Sequence, residues 1–204
     1  MYHNHRTPYL ESAIALSSRD MPGLFRVRPP TLPEPVGPAT GSPFEYQKAD
    51  TQWTLSRRNR TRLALNGQHY VLESLHVHEP AEHKINNVQH PFEVHFVFKS
   101  PAGNMIVVAV VAAVGGPTDE VFRGIRAGKP LKPHWIPSLR RTWNYVGSLT
   151  TPGEADTVVW FVSDRIGNIS ADDLAWFRSR ARQDKPLQDR HGRPIVFIED
   201  AGAA

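Results

Sequence analysis

Three segments of the chain, Leu75-His76-Val77-His78, Phe92-Glu93-Val94-His95-Phe96-Val97 and the apolar run Met105-Ile106-Val107-Val108-Ala109-Val110-Val111-Ala112-Ala113-Val114, decide the fold. Residues i and i+2 of a strand point to one face. With that period His76 and His78 share a face, and so do Glu93 and His95, between β-branched and aromatic neighbours that favour strands. The third segment has no polar member and reads as a strand buried on both faces. Pro101-Ala102-Gly103-Asn104 marks a turn between the second and third. Working outward, residues 61–65 alternate, and Asn66-Gly67 predicts a tight turn into a returning strand over 70–78. Residues 158–163 and 194–198 read as strands and 119–127 as a short helix. Ser170-Ala171-Asp172-Asp173 resembles a capping box, with Asp in place of Glu, opening a helix that carries Leu174, Trp176, Phe177 and Arg178.

Short strands between turn signals, with little helix, predict a mainly β single domain. Seven prolines lie between residues 17 and 50, where fixed φ and missing donors disfavour regular structure. Leu24, Phe25, Val27, Leu32 and Val36 are the expected apolar anchors of this stretch. The expected division is an irregular arm at 1–43, part of the same domain, and the main body at 44–204.

The 204 residues suffice for one sizeable core, and 40% apolar with 22% charged residues is ordinary for a globular domain. The net charge of +4 is modest and spread along the chain. The densest basic run, Arg57-Arg58-Asn59-Arg60-Thr61-Arg62, lacks interleaved aromatics and reads as the wet side of a strand, so no nucleic-acid partner is expected. The run Met105–Val114 falls far short of the roughly 20 residues a membrane helix needs, and no membrane partner is expected. No signal-peptide pattern stands at the N-terminus, and no internal repeats are evident. The chain has no cysteine, which excludes a disulfide, a thiolate metal site and a cysteine nucleophile.

Two imidazoles at i and i+2, with a third on the adjacent strand, can converge on one ion. His76, His78 and His95 therefore form a candidate zinc (Zn2+) site. Three protein ligands leave a fourth position open, the catalytic form of such a site. Ligating imidazoles usually give their second N–H to a neighbour. Glu93 stands two residues before His95 and Ser74 two before His76, so these are the candidate supports.

At these residues the sequence resembles the α-carbonic anhydrase family. Leu75-His76-Val77-His78-Glu79-Pro80-Ala81-Glu82-His83 is similar to the family's His-x-His…Glu-His run, and Phe92-Glu93-Val94-His95-Phe96-Val97 to its Glu-x-His-x-Val strand. Trp143-Asn144-Tyr145-Val146-Gly147-Ser148-Leu149-Thr150-Thr151-Pro152 resembles its Tyr-x-Gly-Ser-Leu-Thr-Thr-Pro signature, and Lys185-Pro186-Leu187-Gln188 its Arg-Pro-x-Gln segment. Glu11-Ser12-Ala13-Ile14-Ala15-Leu16 weakly resembles its Gln-Ser-Pro-Ile-Asp-Leu. The resemblance covers residues 44–198, with the motifs in the family's order. It implies a large twisted, mainly antiparallel central sheet with a few short helices, and zinc-dependent, reversible hydration of CO2 to bicarbonate by attack of zinc-bound hydroxide. It further implies that Thr150 accepts a hydrogen bond from that hydroxide, that Glu82 takes the Thr150 proton, and that Val97, Val107, Leu149, Thr151, Val158 and Trp160 line the CO2 pocket. The alternative function is a carbonic-anhydrase-like binding domain with little or no activity. A small-molecule substrate and a monomer are expected.

The sequence departs from the family in several places. The alignment puts Trp53 where fast members carry a proton-relaying histidine at the mouth, which implies that proton export limits turnover. Ser74 stands where many members have Gln, Glu154 occupies a cysteine position, and the segment between Gly115 and Pro137 is short. The family's opening aromatic segment is missing. The expected compartment is cytoplasmic for the chain as it stands, and periplasmic or secreted for one truncated at the N-terminus.

Overall fold

The computed structural model describes residues 12–17, 23–27, 34–56, 60–150, 157–182 and 185–199. In chain order the strands are β1 (Ala15–Leu16), β2 (Leu24–Val27), β3 (Phe44–Gln47), β4 (Gln52–Leu55), β5 (Arg62–Leu65), β6 (Gln68–His78), β7 (Lys84–Ile85), β8 (Val88–Gln89), β9 (Phe92–Lys99) and β10 (Met105–Val114). Helix α1 (Glu120–Arg126) follows, then β11 (Thr142–Ser148), β12 (Thr157–Ser163), β13 (Gly167–Ile169), α2 (Ala171–Arg178) and β14 (Ile195–Ile198).

Eleven strands form one sheet in the order β2-β14-β11-β12-β10-β9-β6-β4-β3, with β13 beside β10 and β5 beside β6; β1, β7 and β8 form a small second sheet. The large sheet is mainly antiparallel, as expected. Three pairings run parallel, β10 with β12, β10 with β13, and β14 with β2. The turns obey local chemistry. Asn66 and Gly67 both have positive φ, 50° and 77°, and close a two-residue hairpin between β5 and β6. The Ser170 hydroxyl caps α2 by accepting from the Asp173 N–H at 3.1 Å. Asp173 also accepts from Ser170, Thr118 and Arg126, which ties α2 to α1.

β6 contains the feature that orients the site. Its register against β9 slips between Leu72 and Ser74, a bulge at Glu73. Before the bulge, Tyr70 and Leu72 face one core; after it, Leu75 and Val77 face that same core. Ser74, His76 and His78 are thereby turned to the opposite face. The bulge also divides the outer edge of β6, where β5 pairs residues 68–71 and β4 pairs 74–75.

Each face of the sheet carries an apolar cluster. One gathers Leu75, Val77, Phe92, Val94, Phe96, Phe98, Ile106 and Val108 under Phe122 and Ile125 of α1 and Leu174 and Phe177 of α2. The other gathers Val107, Ala109, Trp143, Tyr145, Val158 and Trp160 with Ile14, Leu16, Ala81 and Ile85.

The proline-rich arm is held differently from expectation. Phe25, Val27 and Val36 are exposed at 56%, 39% and 60%, Leu24 is half-buried, and Leu32 lies outside the described residues. Backbone pairing does the holding: β2 adds to β14, Val36 exchanges hydrogen bonds with Arg62, and Ser42 does the same with Leu131. Backbone groups pair whatever the side chains are, so apolar residues in the arm were not a guide to its anchoring. Of the basic run, Arg57, Arg58 and Asn59 also lie outside the described residues.

Candidate metal centre

β6 and β9 pair antiparallel with His76 opposite His95 and His78 opposite Glu93. The register brings three imidazoles together, with ring centroids 5.0, 5.0 and 4.7 Å apart. They are 5%, 2% and 0% exposed. His95 Nδ1 stands 3.2 Å from His76 Nε2, and one nitrogen from each ring falls within 4.8 Å of the others. Two nitrogens each bonded at 2.0–2.1 Å to one tetrahedral ion lie roughly 3.3–3.4 Å apart, so the spacing fits zinc.

The hydrogen-bond inventory supports the same fit. Neither ring nitrogen of His78 has a hydrogen-bond partner, nor does His76 Nδ1, although all are buried. Buried polar atoms without partners are costly, and a cation on the ring nitrogens would remove part of that cost. Burial, first of all, and then the charge of neighbouring His95 hold His76 and His78 well below the usual imidazole range. Both rings are therefore neutral and have lone pairs to offer.

Glu93 fixes the third ring. Its Oε1 lies 2.8 Å from His95 Nε2 and 2.6 Å from His83 Nδ1. Its Oε2 accepts from the backbone N–H groups of Glu82 and His83 at 2.8 and 2.9 Å. Burial alone would raise the pKa of this carboxyl, but His83 and His95 outweigh it and hold Glu93 well below the usual range. A carboxylate only accepts, so both rings donate to it, which leaves His95 Nδ1 as the free lone pair. His83 Nε2 then accepts from the Tyr145 hydroxyl at 2.7 Å. Ser12 hydrogen-bonds Tyr145, and Ser12 and Ser148 exchange two backbone-to-hydroxyl bonds. His83 and Tyr145 had no assigned role in the sequence reading. His83 lies in an irregular segment without periodicity, and the signal available was its place in the run Glu79-Pro80-Ala81-Glu82-His83.

Ser74 is on the histidine face but does not hold His76, whose Nδ1 has no partner; a hydroxymethyl group is too short to serve a ring two residues along. Glu82 is 2% exposed, with Oε1 accepting from the Lys185 N–H at 2.9 Å and standing 3.4 Å from His78 Nδ1. Burial raises its pKa, against which the Lys185 N–H and the Thr150 side chain act. Thr150 is itself buried, and Glu82 Oε2 has no hydrogen-bond partner of normal geometry. Val107, Val158 and Trp160 pack in one cluster with Val97 and Leu149, and the Trp160 ring lies 5.0 Å from His95. Thr151 and Glu154 lie outside the described residues.

Trp53 is not at a mouth beside the histidines. It pairs with Leu75 and is 3% exposed, packed on Tyr46 at 4.8 Å and on Trp176 and Phe177 at 6.5 and 6.1 Å. A one-residue difference in register reverses the face of a strand residue, and Gln52 and Thr54 are the β4 residues on the histidine side. The inference of slow proton export from Trp53 falls with that placement.

Comparison with known proteins adds independent findings. A family model described as eukaryotic-type carbonic anhydrase matches residues 127–196, a stretch that takes in Trp143 to Thr150 and leaves out the three histidines. The chain is 27% identical over 154 residues to alpha carbonic anhydrase 4 of Arabidopsis thaliana, covering 68% of this chain and 58% of that protein. It is 29% identical over 148 residues to a carbonic anhydrase of Pectobacterium carotovorum, covering 66% and 61%. The chain thus spans about three fifths of the length of these curated relatives. Among solved structures, the Photobacterium profundum alpha-carbonic anhydrase matches with a TM-score of 0.76 at 22% identity, covering 92% of this chain and 89% of that one. Dioscorin, solved in complex with ascorbate, matches with a TM-score of 0.80 at 16% identity, covering 95% and 87%. At these identities the structural likeness speaks for the fold.

Proposed function

We propose that the chain is a member of the α-carbonic anhydrase family, to which its likeness points, and that it is a zinc-dependent carbonic anhydrase, hydrating CO2 to bicarbonate reversibly. The observation that carries this reading is the trio of buried imidazoles with a nitrogen from each converging on one point, three of the nitrogens of His76 and His78 having no hydrogen-bond partner. His76, His78 and His95 would hold the metal. Zinc in a three-histidine site acidifies bound water and so supplies a nucleophile near neutral pH, a behaviour for which carbonic anhydrases are the standard example.

The remaining chemistry belongs to the chain itself. Glu93 keeps His95 in the tautomer that offers Nδ1, and His83 and the two backbone N–H groups keep Glu93 ionised and in place. Thr150 has one hydroxyl proton. Given to Glu82, it leaves an oxygen that can only accept, which fixes the direction in which a nucleophile beside it must donate. Val97, Val107, Leu149, Val158 and Trp160 offer CO2 an apolar wall that binds water poorly.

Metal analysis and a CO2 hydration assay on one sample test the reading. One zinc per chain is expected, with hydration lost on chelation and restored by zinc. Zinc-loaded protein with no hydration above the buffer rate would leave a binding domain and overturn the proposal.

A further inference from the structure

Resting on the hydratase reading, we propose that Arg182 is the anion-attracting residue of this site, a fixed guanidinium that draws small monoanions, bicarbonate among them, to the histidine face. Arg182 is placed by its backbone. Its N–H donates to the Val77 carbonyl at 2.8 Å, and the chain there runs parallel to β6 beside His78. β4 pairs with β6 only at Trp53–Leu75 and Thr54–Ser74, so Arg182 takes over the outer edge of β6 where β4 stops. The side chain then turns back along that edge, and Nη2 donates to Gln52 Oε1 and to the Asp50 carbonyl, each at 3.1 Å.

Gln52 shares its face with Thr54, which pairs with Ser74 on the histidine side. The guanidinium is therefore pinned, half-buried, at the rim of the face that carries His76 and His78. Of the acidic groups around the imidazoles, Glu93 is committed to four donors behind His95, and Glu82 accepts from the Lys185 N–H.

The consequence is selective by charge. CO2 is neutral and gains nothing from a rim cation, whereas bicarbonate and other monoanions do. Arginine stays charged at any pH the protein survives, so the attraction does not titrate. A half-buried charge is also screened less by salt than one in open solvent.

The test is calorimetric titration of the zinc-loaded protein with thiocyanate, in Arg182→Gln, Arg182→Lys and Gln52→Glu variants, with zinc content measured on each. Arg182→Gln is expected to weaken thiocyanate about five- to tenfold, the scale of one nearby charge at a protein surface. Arg182→Lys keeps the charge and should stay within about twofold of the parent. Gln52→Glu sets a carboxylate against the guanidinium and should reproduce much of the loss with Arg182 still present. A purely structural role would instead lower thermal stability in both Arg182 variants and leave thiocyanate unmoved. Unchanged thiocyanate affinity in Arg182→Gln, or an equal loss in Arg182→Lys, overturns the assignment. A parent protein without zinc or hydration overturns the reading beneath it, and the two failures are distinct.

Discussion

The two faces of the central sheet are made by the same strands and are equally dry, yet one is hydrocarbon and the other is titratable. On one side β6 and β9 present Leu75, Val77, Val94, Phe96 and Phe98 beneath α1 and α2. On the other the alternate residues are His76, His78, Glu93 and His95, none above 5% exposed. Alternation in a half-buried strand ordinarily separates core from water. Here it separates two kinds of interior, and the second must find partners for every polar atom. Glu93 does so completely, with four donors. The histidine nitrogens and Glu82 Oε2 do not, and most of the unpartnered buried side-chain atoms among the described residues are theirs, the others being two indole nitrogens.

The sharpest way to break this contrast is to truncate adjacent faces in metal-free protein. Phe96→Ala empties a fully buried site on the helix side and should cost about 4 kcal/mol in denaturant unfolding. His78→Ala removes a ring whose nitrogens are unsatisfied, so lost packing is offset by relief of desolvation and the cost should stay below about 1 kcal/mol, while zinc uptake is largely lost. Equal destabilisation by the two would mean the faces do not differ in this way. The pair also differs in pH dependence. His76 and His78 have folded pKa values below the ordinary 6.5, so below that pH the unfolded chain binds more protons than the native one. Stability of the metal-free protein therefore falls as pH drops below about 6.5, and His78→Ala should make the fall shallower.

Trp53 tests whether the face assignment extends to β4. Trp53→His should cost about 3 kcal/mol, because it removes an aromatic body from between Tyr46 and Trp176. It should leave the buffer dependence of CO2 hydration unchanged. A gain in hydration at low buffer would return residue 53 to the site.

Thr150→Ala makes the smallest change and stays within the titratable face. Zinc content should be retained while the hydration rate falls by about 2 kcal/mol of transition-state stabilisation, near thirtyfold. An unaltered rate would remove Thr150 from the chemistry and leave its effect on Glu82 as a structural one.

Much of this division was legible in the sequence, and the exceptions have physical causes. β10 has the bounds its pattern predicts and β9 begins where its pattern does, because a long run of β-branched and aromatic residues admits few other readings. His76, His78 and His95 come together because i, i+2 spacing survives in any strand. The capping Ser170 was readable from four residues. Trp53 was misplaced because motif alignment does not fix strand parity, and in a four-residue strand nothing local corrects a shift of one. β11 was quoted as a motif and not as a strand, since Asn144 and Gly147 interrupt its apolar pattern. β2 escaped because its pairing with β14 joins segments far apart in the chain. The roles of His83, Tyr145 and Arg182 depend on contacts between segments and leave no periodic trace.

The bulge at Glu73 gives the chain an arithmetic of insertions and deletions. Loss of the one bulged residue would straighten β6 and leave every later residue opposite its present partner on β9, so His76 and His78 would keep their face. Loss of two residues there would exchange the faces from that point on, driving His76 and His78 into the hydrocarbon side and Leu75 and Val77 toward the site. Between β5 and the site, then, the protein tolerates changes of length by parity rather than by size, and a two-residue deletion is the more damaging of the two.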